Sequence, residues 1–174
     1  MQNLTLKKVK ITDKKQFEEA LKELLLSSGA LKGVYYQDGL YFEQLIEFYN
    51  KCEKIPFNNY NQEEYPFFQY LLVEKEDGKI VGFVNIRPFL TKSLDENYEG
   101  NIGYSIRPSE RGKGCANQAL SLAVKEFKRL NAKDNITICC YKENVPSKKV
   151  ILNNGGVLKE EIQGILTAQK YIIK

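Results

Sequence analysis

Two hydrophobic rhythms alternate along this chain. From Leu4 to Ile11 apolar and polar residues take turns, as in a strand with one buried face. Thr12 and Asp13 then offer an N-cap to a helix over Lys14 to Leu26, with Phe17, Leu21, Leu24 and Leu25 along one side. Ser27 to Gly39 breaks the pattern with serine, glycine and tyrosine. Phe42, Leu45, Ile46 and Tyr49 fall at helical spacing and predict a second helix near Tyr41 to Lys51. Cys52 to Pro66, punctuated by Pro56 and Pro66, reads as a loop.

Phe67 to Val73 and Ile80 to Arg87 are rich in β-branched and aromatic residues. The Asp77-Gly78 turn between them predicts a hairpin. Leu90 to Gly100 is a polar connection into a strand over Asn101 to Arg107. A long helix follows from about Gly112 to Leu130, with Ala116, Ala119, Leu120, Ala123, Phe127 and Leu130 as its buried stripe. Asn135 to Tyr141 is a strand, Pro146 opens a short helix and Gly155-Gly156 ends it. Val157 to Gln163 and Ala168 to Ile173 are the last two strands. The order β-α-α-β-β-β-α-β-α-β-β is mixed α/β without repeat or linker, and predicts a single domain over residues 1–174.

The strand-to-helix turn in the middle of this order carries the strongest chemical signal. Arg111, Gly112, Lys113, Gly114, Cys115 and Ala116 crowd main-chain N–H groups where the long helix begins. Glycine tolerates positive φ and lets a ligand approach the backbone. The first N–H groups of a helix lack intrahelical partners and lie at the positive end of its dipole, so the turn suits a phosphate or pyrophosphate. An ordinary glycine-rich connection is the plainer alternative. The spacing matches neither the Walker loop nor G-x-G-x-x-G.

Composition narrows the partners. Of the 174 residues, 43% are hydrophobic and 28% charged, as in a soluble globular protein, and no run is long and apolar enough to span a bilayer. The formal charge of +4 is spread over scattered lysines, so no nucleic-acid footprint is expected. Cys52, Cys115, Cys139 and Cys140 have no C-x-x-C spacing, and reduced thiols in a cytoplasmic protein are the expectation. Cys115 falls at a predicted helix N-terminus, where a thiol pKa can drop. Histidine is absent, which removes His-based triads and His-ligated metals, and no metal is expected.

Arg111, Gly114 and Ala116 meet the pattern Arg/Gln-x-x-Gly-x-Gly/Ala, and Asn144-Val-Pro-Ser147 meets N-x-x-S/A ahead of a helix that ends in glycine. Together, in this order, they resemble the two signatures of the GNAT superfamily of N-acetyltransferases. The run from Asn85 to Ala116 is also similar to a bacterial branch patterned N-I-R-H…G-H-I-G-Y-x-I-R-P-S-E-R-G-K-G-Y-A, with Pro88 and Asn101 replacing its histidines. The resemblance implies an α/β acyl-CoA N-acyltransferase fold whose fourth and fifth strands splay around acetyl-CoA, here the acetyl donor. It implies that Arg111, Gly112, Lys113, Gly114, Cys115, Ala116 and Asn117 hold the pyrophosphate. The main chain of Tyr104, Ser105 and Ile106 would bind the pantetheine arm, and Asn144 and Ser147 would be cofactor or capping residues.

The chain departs from relatives at the acid and base positions. Ile151 stands where many members carry a proton-donating tyrosine, and Cys139 where some carry a glutamate base. Candidate acid/base groups are Tyr104 and Tyr141 on the two splaying strands and Glu143 before the signature asparagine. Each also has a structural reading, as packing or solvated charge. Tyr35, Tyr36, Asp38 and Tyr41, with Glu43 and Glu47, form an aromatic and acidic cluster that can hold an amine, or simply the surface of a helix and its leading loop. The expected function is acetyl transfer to a primary amine of a small molecule or peptide, direct and within a ternary complex, by a monomer or homodimer. The alternative is a non-catalytic acyl-CoA sensor of the same fold.

Overall fold

The computed structural model describes residues 3–28, 31–57, 61, 64–131, 135–164 and 166–174. Parts of the breaks read over Ser27 to Gly39 and Cys52 to Pro66 lie outside these residues. In chain order the elements are β1 (Leu4–Lys8), α1 (Lys14–Ser28), α2 (Phe42–Glu53), β2 (Phe68–Glu74), β3 (Ile80–Ile86), α3 (Lys92–Glu96) and β4 (Ile102–Ile106). They continue with α4 (Cys115–Leu130), β5 (Ile136–Tyr141), α5 (Val145–Asn153), β6 (Val157–Ile162) and β7 (Ala168–Ile173). Only α3 was not expected from the pattern. Its five residues, KSLDE, show no apolar period, and a cap makes it instead. Thr91 Oγ1 accepts from the Leu94 N–H at 3.3 Å.

The strands form two antiparallel sheets, ordered β1-β2-β3-β4 and β5-β7-β6. Strand alternation divides the core between the two faces of the first sheet. On one face Tyr70, Leu72, Val84, Ile102 and Ile106 pack with Leu120, Ala123 and Phe127 of α4 and with Ile151 of α5. On the other Leu71, Val73 and Phe83 pack with Phe17, Leu21 and Leu24 of α1 and with Phe42 and Leu45 of α2. The helical periods anticipated these faces, except that Leu25 turns outward and is 44% exposed.

β4 and β5 belong to different sheets and meet at one place. Asn101, 5% exposed, occupies all of its polar groups there. Its main-chain N–H donates to Thr137 O at 2.7 Å, and its carbonyl accepts from Arg87 N at 2.7 Å. Its side chain donates to Arg87 O at 2.9 Å and accepts from Thr137 N at 2.7 Å. Both strands start beside this joint and separate beyond it. Burial of the contact is tight, since a Cβ on Gly100 would come within 2.7 Å of Thr137 O.

Along β4 the bonded pairs Asn101–Arg87 and Arg107–Val81 set the alternation, so Gly103 and Ser105 turn their main-chain groups toward β3. The peptide groups of Ile102, Tyr104 and Ile106 point to the open side. Truncating Asn101→Ala would strand the Thr137 N–H and the Arg87 carbonyl in a buried place, at about 1–3 kcal/mol for each group. Urea unfolding should therefore show a loss of about 2 kcal/mol or more, and a loss below about 0.5 kcal/mol would show that the joint is dispensable.

Candidate functional site

The separation of β4 from β5 opens a cavity of about 430 Å³. Its walls include Tyr104, Ser105 and Ile106 from one strand and Cys139, Cys140 and Tyr141 from the other, with Asn144 and Ser147 at the start of α5 and Arg111 and Ala116 at the start of α4. Sequence-distant residues of both signatures thus share one space.

The turn before α4 is fixed from below. Glu110, 2% exposed, accepts from Lys79 Nζ at 2.6 Å and from Lys113 Nζ at 2.8 Å. Arg107 pairs with Glu23 of α1, whose second oxygen accepts from Ser109 Oγ at 2.9 Å. Arg111 Nε donates to the outward carbonyl of Ile106 at 3.2 Å and Nη2 reaches Ser27 Oγ at 3.4 Å. Gly112 and Gly114 take φ of 78° and 81°, and a Cβ on either would meet nothing within 4 Å. The positive φ explains the glycines, and the open space is what an approaching ligand needs. The Gln118 N–H donates to Gly114 O at 3.3 Å and begins the α4 ladder, so the N–H groups of Ala116 and Asn117 have no carbonyl of the helix to meet. Asn117 Oδ1 also accepts from Asn153 Nδ2 at 3.3 Å, which ties α4 to α5.

Cys115 corrects one expectation. Its thiol is 1% exposed, and burial, reinforced by Glu110, pushes its pKa up rather than down. Burial likewise raises the Cys139 thiol to about 11 and the Cys140 thiol above its ordinary value.

Of the acid/base candidates, Tyr104 and Tyr141 reach the cavity and Glu143 is exposed outside its lining. The Tyr104 hydroxyl lies 2.9 Å from Ser147 Oγ. Burial pushes its pKa up to about 12, opposed by the Ser147 hydrogen bond. Tyr141 is 43% exposed at the end of its strand. Asn144 caps α5, its Oδ1 accepting from Ser147 N at 3.1 Å, and so aims the serine hydroxyl at Tyr104. Ile151 is wholly buried beneath Gly156 and serves the core.

Tyr35, Tyr36, Asp38 and Tyr41 do not line the cavity. Tyr35 stacks on Phe48 at 4.5 Å, Tyr36 lines a separate groove between α1 and α2, Asp38 is exposed and Tyr41 is 75% exposed at the start of α2. The side of the cavity opposite α4 is built instead from Lys32, Arg87, Asn97, Tyr98 and Glu99. Residues 97–99 are delivered by the C-terminus of α3. Tyr98 adopts φ of 57°, its N–H donates to Asp95 O, and Glu99 N–H donates to Leu94 O at 2.9 Å, a Schellman closure with tyrosine in the usual glycine position. This turn directs Glu99 at Lys32 (2.8 Å) and Arg87 (3.4 Å).

Lys32 is carried by a segment that two buried amides bolt across the sheet. Gln69 Nε2 donates to Gly33 O at 3.0 Å while its Oε1 accepts from Tyr35 N, and Asn85 Nδ2 donates to Lys32 O at 3.0 Å. Ser105 Oγ accepts from Gly33 N at 3.2 Å. The segment passes so close that a Cβ on Gly103 would fall 2.0 Å from Lys32 O. Polar residues inside two apolar strands, Gln69 and Asn85, were the available sequence signal for these bolts. Gly103→Ala should cost about 1–3 kcal/mol by overpacking and displace Lys32 from Glu99. Denaturant unfolding together with protease sensitivity of the 31–36 segment measures both, and wild-type values for both would contradict this close approach.

Comparison with known proteins agrees with this fold. No curated protein matches the sequence significantly. Among solved structures, the Salmonella typhimurium protein yncA with its cofactor acetyl-CoA is similar with a TM-score of 0.68 at 12% identity, over 98% of this chain and 93% of that one. The Vibrio cholerae spermidine N-acetyltransferase, in complex with CoA and spermine, is similar with a TM-score of 0.64 at 17% identity, over 98% and 94%. At such identities the likeness establishes the fold. A family model described as an acetyltransferase (GNAT) domain matches residues 4–157, and the chain therefore belongs to the GNAT acetyltransferase family.

Proposed function

We propose that this protein transfers acetyl from acetyl-CoA to the nitrogen of a primary amine, directly, in a ternary complex. The carrying observation is the wedge between β4 and β5, which joins an anion-ready helix start to a hydroxyl held protonated inside the cavity. Acetyl-CoA would supply the acetyl thioester. The N–H groups of Ala116 and Asn117, the turn at Gly112 and Gly114, and Arg111 would hold its pyrophosphate. The outward peptide group of Tyr104 and the N–H of Ile106 would bond its amide-bearing arm, as an unpaired strand edge requires.

In the transfer a nitrogen–carbon bond forms and the carbon–sulfur bond breaks. The amine releases a proton to solvent, the departing sulfur takes one from the Tyr104 hydroxyl, which Ser147 orients, and the phenolate regains a proton from solvent. A phenol with its pKa near 12 remains protonated through the neutral and mildly alkaline range, so this donor is present at working pH. The presence of a buried hydroxyl in the cavity favours an enzyme over a sensor. We place it in the cytoplasm, where its four cysteines would stay reduced. The whole chain, residues 1–174, would act as one domain.

Gly114→Glu should abolish binding of coenzyme A in calorimetric titration, because a carboxylate enters the anion site and a side chain is forced to φ of 81°. Unaltered affinity would remove the turn from the site. Tyr104→Phe should slow thiol release from acetyl-CoA by about a hundredfold with coenzyme A affinity kept, whereas Tyr141→Phe should change the rate by less than about threefold. Equal rates for Tyr104→Phe and wild type would refute the acid role. The sign with pH follows from the raised pKa: rate dependence on Tyr104 is full below about pH 10 and is lost as pH rises toward 12.

A further inference from the structure

At the Gly103 end of β4, away from Arg111, the cavity is lined by Lys32, Arg87 and Glu99. Among the described residues that line the cavity, Glu99 is the one carboxylate, and both neighbouring cations already contact it, at 2.8 and 3.4 Å. One positive charge is left over. Arg87 is held in place, its side chain 11% exposed and its Nη1 donating to Gly100 O at 2.9 Å. Its Nε is buried and has no partner among the described residues.

A polycation meets like charge in such a place. An amine brought beside Lys32 and Arg87 has its ammonium form disfavoured, and so presents the neutral nitrogen that acyl transfer needs. A carboxylate on the same molecule is attracted, and guanidinium and ammonium bind it by charge-assisted hydrogen bonds. We infer that the acceptor is an aminocarboxylate, a small molecule with both a primary amine and a carboxylate, held at its carboxylate by Arg87 and Lys32. The fate of its amine depends on the acetyl transfer proposed above, while recognition of its carboxylate is a property of this mouth alone.

The test is calorimetric titration of the full chain, free and loaded with coenzyme A, using glycine, β-alanine and γ-aminobutyrate, each against its amide, and spermidine. At least one aminocarboxylate should bind about tenfold or more tighter than its amide and than spermidine. Arg87→Gln and the more exposed Lys32→Gln should each reduce that preference. Spermidine or the amides binding as tightly, no aminocarboxylate binding at all, or a preference untouched by both substitutions would overturn the inference. Failure of coenzyme A itself to bind would instead strike the acetyl-transfer reading, and the free protein would still report on the carboxylate.

Discussion

Asn101 is the constraint on which the rest of the molecule depends. Two sheets that separate must still be held at one end, or the chain divides into halves with exposed edges. Asparagine suits the joint because its amide carries both a donor and an acceptor beside the main-chain pair. It meets Arg87, just past β3, and Thr137 of β5 together, and all four of its own polar groups are paired. Asn101 is therefore a structural clamp between the two sheets.

From that clamp the cavity follows, and so does its polarity. One end is bounded by α4 with its dipole, two glycines of positive φ and Arg111. The other is bounded by a short capped helix whose tyrosine-closed C-terminus delivers Glu99 to two cations. Between them the Tyr104 hydroxyl is buried against Ser147. Desolvation dominates the titration of every perturbed group here, the thiols of Cys139 and Cys140 and the phenol of Tyr104 alike, and it favours the neutral forms. The interior of the wedge is thus a place for proton donors, and charge is confined to its two ends.

The second sheet face has its own economy. Gln69 and Asn85 are 1% and 2% exposed on strands that are otherwise apolar, and each donates from its amide to the segment carrying Lys32, while Asn85 Oδ1 accepts from Gly103 N. Buried amides with satisfied partners specify one arrangement of the chain, since any slip leaves them unpaired. The Lys32 segment is positioned by these amides and by the missing Cβ of Gly103.

Local rules determined much of this protein from the sequence alone. The Asp-Gly hairpin, the apolar stripe of α4, the glycine turn before it and the proline-to-glycine span of α5 are short-range features whose residue types suffice to specify them. The order of elements and the two signatures followed from these, and with them the family. What only the tertiary structure decided depends on residues far apart in sequence. That Asn101 is a clamp depends on Thr137, thirty-six positions away. Which tyrosines line the cavity depends on long-range packing, which separates Tyr104 and Tyr141 from Tyr35 and Tyr41. α3 was invisible because a cap and a Schellman turn, without apolar period, hold its five residues. Cys115 shows the same limit, since its place at a helix start is local but the burial that overrides the dipole is not. Periodicity records which face of an element is buried, and only packing records what lies opposite it.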